Sequence, residues 1–165
     1  MNILLIKNKI QYYESIWRKS IIIKRYDILN NSFPFPVPSN EKLPKKYNNF
    51  MYKLKKIENL LIKKKKFTKI KVKNCLLSNT KNISNKNFNL FNVNWDNALL
   101  YYMKKFNITP SNQFYNFIKN IRILKNKIVL DKNYNFPYFK LKGKIYKKYE
   151  SKYIIIKKNQ LRILD

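Results

Sequence analysis

The sequence predicts an α+β chain, with an N-terminal helical basic region followed by a small unit of two helices, a hairpin and a further strand. Three observations carry that prediction. Hydrophobic residues make up 45% of the 165 residues and aromatics 16%, enough to bury a small core. In two segments apolar residues recur at helical spacing, over Tyr47 to Leu61 and over Phe114 to Ile121. After the second, the pattern changes to short apolar runs parted by turn residues, as strands require.

Charge sets the class of partner. Lys and Arg total 37 against 8 acids, for a formal net charge of +29. Of the basic residues, 33 are Lys, compact ammonium groups rather than guanidinium forks. Self-repulsion at this level strains an isolated fold, and a polyanionic partner relieves it.

The same composition excludes most chemistry. There is no His, so no imidazole serves as a base or metal ligand. Cys75 alone makes neither an internal disulfide nor a thiolate cluster, which fits a reducing compartment. The acids are scattered along the chain, and the single Gly143 cannot build a Walker loop or a dinucleotide fingerprint. No catalytic residue, metal ligand or cofactor is expected. No apolar run is long enough to span a membrane, and the N-terminus reads as neither a secretory signal nor a transit peptide. Lys, Asn, Ile, Tyr and Phe, all writable with A and T codons, dominate the chain. That usage suits an organelle-encoded gene.

Residues 1–44 read as an extension with a helix and a Pro-rich crossing. Ile10, Tyr13, Ile16 and Trp17 fit one helical face, flanked by Lys9, Arg18 and Lys19, with Ile21 to Ile23 beyond. Ser32 to Ser39 holds three alternating prolines, which enforce an extended path. Residues 45–94 read as a basic helix and an Asn-rich loop. Tyr47, Phe50, Met51, Leu54, Ile57, Leu60 and Leu61 form the stripe of the helix, and the run Lys63 to Lys66 follows where the stripe fades. Ser78 to Asn94, rich in Asn and Ser, reads as irregular.

Residues 95–150 carry the most information. Asp96 and Asn97 stand where a helix start needs acceptors for its free amides. Thr109-Pro110-Ser111 reads as a second start, Thr109 capping and Pro110 first in the helix, with its positive end facing a phosphate. Phe114, Phe117, Ile118 and Ile121 then mark one face. Asn126-Lys127 parts two apolar runs like a tight turn, and Phe136 to Leu141 with Gly143 supplies a further turn and strand. Residues 151–165 read as a terminal strand or tail.

This order of residues resembles the alpha-L RNA-binding motif of the small-subunit ribosomal protein four family. Asn94-Trp95-Asp96-Asn97 stands where the family has Arg-Leu-Asp-Asn, and Phe106, Thr109 and Ser111 lie on its helix end and second helix start. Ile123 to Val129 corresponds to the family's Ile-x-Val-Asn-Gly-Lys-x-Val, and Pro137 to Leu141 to its Pro-Ser-Tyr-x-Val. The chain departs from the family at Asn94, Tyr115, Lys127 and Lys144, and carries a short insertion before Pro137. Upstream, Tyr52 to Ile57 is similar to the family's basic helix, and Lys9 to Trp17 loosely to the N-terminus of organellar members. The zinc-binding cysteine cluster of bacterial members has no counterpart.

The resemblance implies a structural constituent of the small ribosomal subunit, binding ribosomal RNA at a helix junction during assembly, beside neighbouring ribosomal proteins and away from membranes. It places the protein in the mitochondrial matrix, with a plastid or apicoplast as alternatives. Pseudouridine synthases also carry the motif but need a separate catalytic domain. A different organellar ribosomal protein and a polybasic membrane-surface protein are the other rivals. The RNA-contacting candidates are Lys104, Lys105, Asn112, Lys119, Arg122, Lys125, Asn126 and Lys127 around the second helix and hairpin. Lys53, Lys55, Lys56, Lys63 and Lys64 join them from the basic helix. Lys104, Lys105, Lys119, Arg122, Lys125 and Lys127 are expected to share one surface, with the aromatics mostly in the core.

Overall fold

In a computed structural model the described residues are 2–6, 9–15, 17, 35–125 and 127–136, followed by the strand segments 139–141, 144–146, 148–149, 152–157 and 160–164. Ile16, Arg18, Lys19, Ile21 to Ile23, Ser32 to Pro34, Asn126, Pro137 and Gly143 lie outside them. The elements run β1 (Asn2–Ile6), β2 (Lys9–Tyr13), α1 (Lys46–Lys63), β3 (Phe67–Lys73), β4 (Ser84–Leu90), β5 (Val93–Asp96), α2 (Leu99–Phe106) and α3 (Asn112–Lys119). They continue with β6 (Ile121–Leu124), β7 (Lys127–Leu130), β8 (Phe139–Leu141), β9 (Lys144–Tyr146), β10 (Lys148–Tyr149), β11 (Lys152–Lys157) and β12 (Gln160–Leu164). The fold is mixed α and β.

Seven strands lie in the order β10-β11-β1-β2-β5-β4-β3, with β12 paired to β11. The pairs β6-β7 and β8-β9 form separate two-stranded sheets. The N-terminal segment is therefore part of the sheet rather than an appended helix. Lys9–Tyr13 pairs antiparallel with β1 and parallel with β5, setting Tyr12 opposite Val93. Aromatic and β-branched side chains suit a pleated surface, and Tyr12 is buried and stacks on Phe136 with ring centroids 4.7 Å apart. That burial outweighs the helical spacing of Ile10 and Tyr13.

The segment read as an irregular Asn-rich loop is also ordered, supplying β4 and the start of β5. Phe88 pairs with Trp95 and Leu90 with Val93, leaving a two-residue connection at Phe91-Asn92. Both carry positive φ, 51° and 65°, the combination that matches the twist of a hairpin. Asn92 tolerates that region well, whereas Phe91 does so against steric cost.

Helix α1 follows the predicted stripe, with Tyr47, Phe50, Leu54, Ile57 and Leu61 buried. It stops because the chain reverses at Lys65 with φ of 56°. The Lys66 amide donates to the Leu61 carbonyl and the Lys65 amide to that of Ile62, closing the helix end. The lysine run is thus the helix terminus, and β3 begins directly after it. Leu54 and Ile57 share one core with Phe88, Trp95, Phe114 and Phe117, so segment 45–94 and the following residues as far as Phe136 fold around a common interior.

Helices α2 and α3 and the β6-β7 hairpin occur in the predicted order, with two local corrections. Ser111, not Thr109, caps α3: its φ and ψ are extended and its Oγ accepts the Phe114 amide at 3.2 Å. Pro110 precedes the cap. Leu124 pairs with Lys127, so Lys127 is the first residue of β7 rather than part of the turn, and Lys125 takes the positive φ of 51°. Beyond the hairpin, the single further strand expected is the β8-β9 pair, and the expected tail is the antiparallel pair β11-β12.

Candidate nucleic-acid interface

The predicted cations separate into groups with different neighbours. Lys55 on α1 and Lys104 on α2 line one cleft of about 350 Å³. Lys86 on β4 joins them, a residue that the loop reading passed over. Its signal is the alternation Ser84, Lys86, Phe88, Leu90, which places one face of an Asn-rich strand against the core. The walls include Ile62, Leu100 and Tyr101, with Asn59 and Asn97 at polar positions.

Glu58 lies in the same cleft and is 4% exposed. The Trp95 indole Nε1 donates to its Oε1 at 3.1 Å. Burial pushes this carboxyl up to about 7, against the opposing pull of the Trp95 hydrogen bond and the Lys55 charge. Asn97 places its Oδ1 under three donors, the Ser84 hydroxyl and the amides of Asn85 and Lys86, and so joins the α2 start to β4. Asp96 accepts the Ala98 amide at 2.6 Å and pairs with Lys73 at 2.6 Å. Asp96 thus meets an amide at the α2 start as the sequence led us to expect, whereas Asn97 serves β4 instead of the free amides of the helix.

Other candidates are tied to the protein itself. Lys53 is half-buried, and its ammonium donates to the Lys119 carbonyl at 2.9 Å, closing the C-terminal end of α3. Burial lowers its pKa. Lys105 donates to the Thr80 hydroxyl at 3.0 Å and covers the Tyr101 and Phe106 rings. Arg122 pairs with Asp131 at 2.7 Å, so its charge is locally balanced although 69% of its side chain is exposed. The Asn133 amide and Arg122 together hold the Asp131 carboxyl below its usual range.

Lys125 and Lys127 are exposed at the two ends of the hairpin turn, and Asn126 between them lies outside the described residues. Asn112 and Lys119 are exposed at the two ends of α3, and Lys56, Lys63 and Lys64 on α1 and its cap. Of the six cations expected to share one surface, three have different neighbours. Lys104 faces the α1–β4 cleft, Lys105 turns to Thr80, and Arg122 is matched by an acid.

The phosphate expected at the start of α3 has a rival already in place. The Glu14 carboxylate accepts the Ser111 amide at 2.9 Å and the Ser111 hydroxyl at 2.6 Å. A buried carboxylate is stabilised there by the positive end of the helix, as an external anion would be. Its contribution links β2 to α3 across 97 positions of sequence, which no local pattern announces.

Among the described residues, no group of three or more His, Cys, Asp or Glu side chains could hold a metal ion. No helix among them is long and apolar enough to cross a membrane. Compared with family models, curated proteins and solved structures, the chain matches none.

Proposed function

We propose that the protein is an RNA-binding structural constituent of the small ribosomal subunit of an organelle, most simply the mitochondrion, built around an alpha-L-like unit. One observation carries this reading. The segment resembling the motif forms helix, helix and hairpin in the motif's order, α2, α3 and β6-β7, with Phe114, Phe117, Ile118 and Ile121 buried and Asn112, Lys119, Lys125 and Lys127 exposed. Apolar faces inward and ammonium groups outward give a small rigid body that sits on phosphates. The net charge of +29 supplies the electrostatic attraction.

The expected contacts are phosphate-dominated, because Lys outnumbers Arg and few cations have an acidic partner. Stacking on unpaired bases is left to exposed aromatics such as Tyr52, since most other rings among the described residues pack in the core. The deciding experiment is sedimentation of the tagged chain in organelle extract. Comigration with small subunits supports the reading. Comigration with large subunits assigns it to a different ribosomal protein, and binding to anionic vesicles in preference to RNA at equal salt replaces it with a membrane-surface role.

A further inference from the structure

We infer that the cleft between α1, β4 and α2 seats one unstacked nucleotide of an RNA strand, with Lys55, Lys86 and Lys104 on its phosphates and Glu58 meeting the edge of its base. The inference rests on the RNA-binding reading above and adds a particular site to it. Its volume of about 350 Å³ lies within the range of small-ligand sites, roughly 300–1,000 Å³. Three lysines from three different elements line it: Lys55 and Lys104 are exposed, while the Lys86 ammonium donates to Asn85 Oδ1 at 3.0 Å and lies over the Phe67 ring, to be drawn off by a phosphate. A cluster placed by tertiary structure is unlike the run Lys63 to Lys66, which merely follows the chain.

The second observation is Glu58. One oxygen accepts from Trp95, and among the described residues none bonds the other, although the residue is only 4% exposed and lines the cleft. An unmatched buried acceptor costs free energy unless something completes it. A free phosphate cannot, because it offers the carboxylate another anion. A base can: the amino group of cytosine or adenine donates to a carboxylate, while the phosphates on either side reach the ammonium groups at the rim. Guanine also offers an amino group, whereas uracil has no amino donor and offers only its single N3 hydrogen. Apolar walls at Ile62 and Leu100, with the half-buried Tyr101 ring, suit the faces of a planar base.

The test uses the full chain with cytidine and uridine hexaribonucleotides, a blunt RNA duplex and inorganic phosphate as probes, in mildly alkaline buffer. The cytidine strand should bind more tightly than the uridine strand, and Glu58→Gln should narrow that preference. Lys55→Ala with Lys104→Ala should weaken the single strand by about tenfold or more. It should also flatten its salt slope by about 1.4, the share of two phosphate contacts on a single strand. Lys69→Ala with Lys81→Ala, two exposed lysines elsewhere, should change affinity by less than about twofold. Lys104→Glu alone tests the cleft should the double variant fail to fold. Equal losses from the two double variants overturn the cleft and leave the RNA reading intact. So does preference for the duplex, or displacement by millimolar phosphate with no preference between bases. Absence of binding to any RNA overturns both.

Discussion

Glu58 is the residue whose surroundings most alter its chemistry. Its carboxyl titrates near 4.5 in the unfolded chain and at about 7 in the fold, because burial disfavours the charged form. Between those values the folded state binds more protons, so stability falls as pH rises through the window. The penalty is absent below the lower value and complete above the higher one. Its full size is between about 3 and 4 kcal/mol as an upper figure, from roughly 1.4 kcal/mol per unit. Glu58→Gln keeps an acceptor for Trp95 and removes the titration. Urea unfolding of the variant should therefore vary less from pH 4.5 to 7 and show greater stability than the native chain above neutrality. A native curve that is flat across the window would refute the buried-acid account. The sequence shows only an acid beside Ile57 in an apolar stripe. What changes its chemistry is burial in the fold, which outweighs the opposing hydrogen bond from Trp95, 37 positions away, and no pattern within α1 reports that.

At the scale of elements, helices were legible and strands largely were not. The stripe of α1 and the face of α3 repeat often enough to fix their period, whereas β2 shows five residues and β4 has Asn at alternate positions facing outward. A strand of that length is decided by its partners, here β1, β3 and β5, which lie elsewhere in the chain. Caps repay closer attention. Ser111→Ala removes both the acceptor for the Phe114 amide and the donor to Glu14, and should cost between about 1 and 3 kcal/mol in denaturant unfolding. Ser111→Thr, which retains the hydroxyl, should recover most of that. At the other helix end, Lys65 occupies the left-handed position that Gly fills without steric cost. Lys65→Gly should raise stability by about 0.5–1 kcal/mol, while Lys64→Gly, at an ordinary negative φ of −86°, should not. Equal effects at the two positions would mean that charge removal, not backbone geometry, is being measured.

For the whole molecule, one property sets two opposite responses to salt. The charge of +29 repels itself in the folded chain more than in the expanded one, because folding draws the charges together. Added salt screens that repulsion, with a Debye length falling from about 30 Å at 0.01 M to about 8 Å at 0.15 M. RNA-free protein should therefore be partly unfolded at low salt, and its melting temperature should rise as salt is added. RNA binding should move the other way: with on the order of 6–10 phosphates engaged, affinity falls by about 10³–10⁵ between 50 and 200 mM salt. RNA also stabilises the fold by mass action, so its stabilising effect is largest where the bare chain is weakest. Thermal unfolding across a salt series, with and without RNA, reads both arms at once. The two melting curves should converge as salt rises, the bare protein from below. If the bare protein melts cooperatively and at one temperature throughout the series, self-repulsion is not what the RNA relieves, and the lysines act only at the sites they touch.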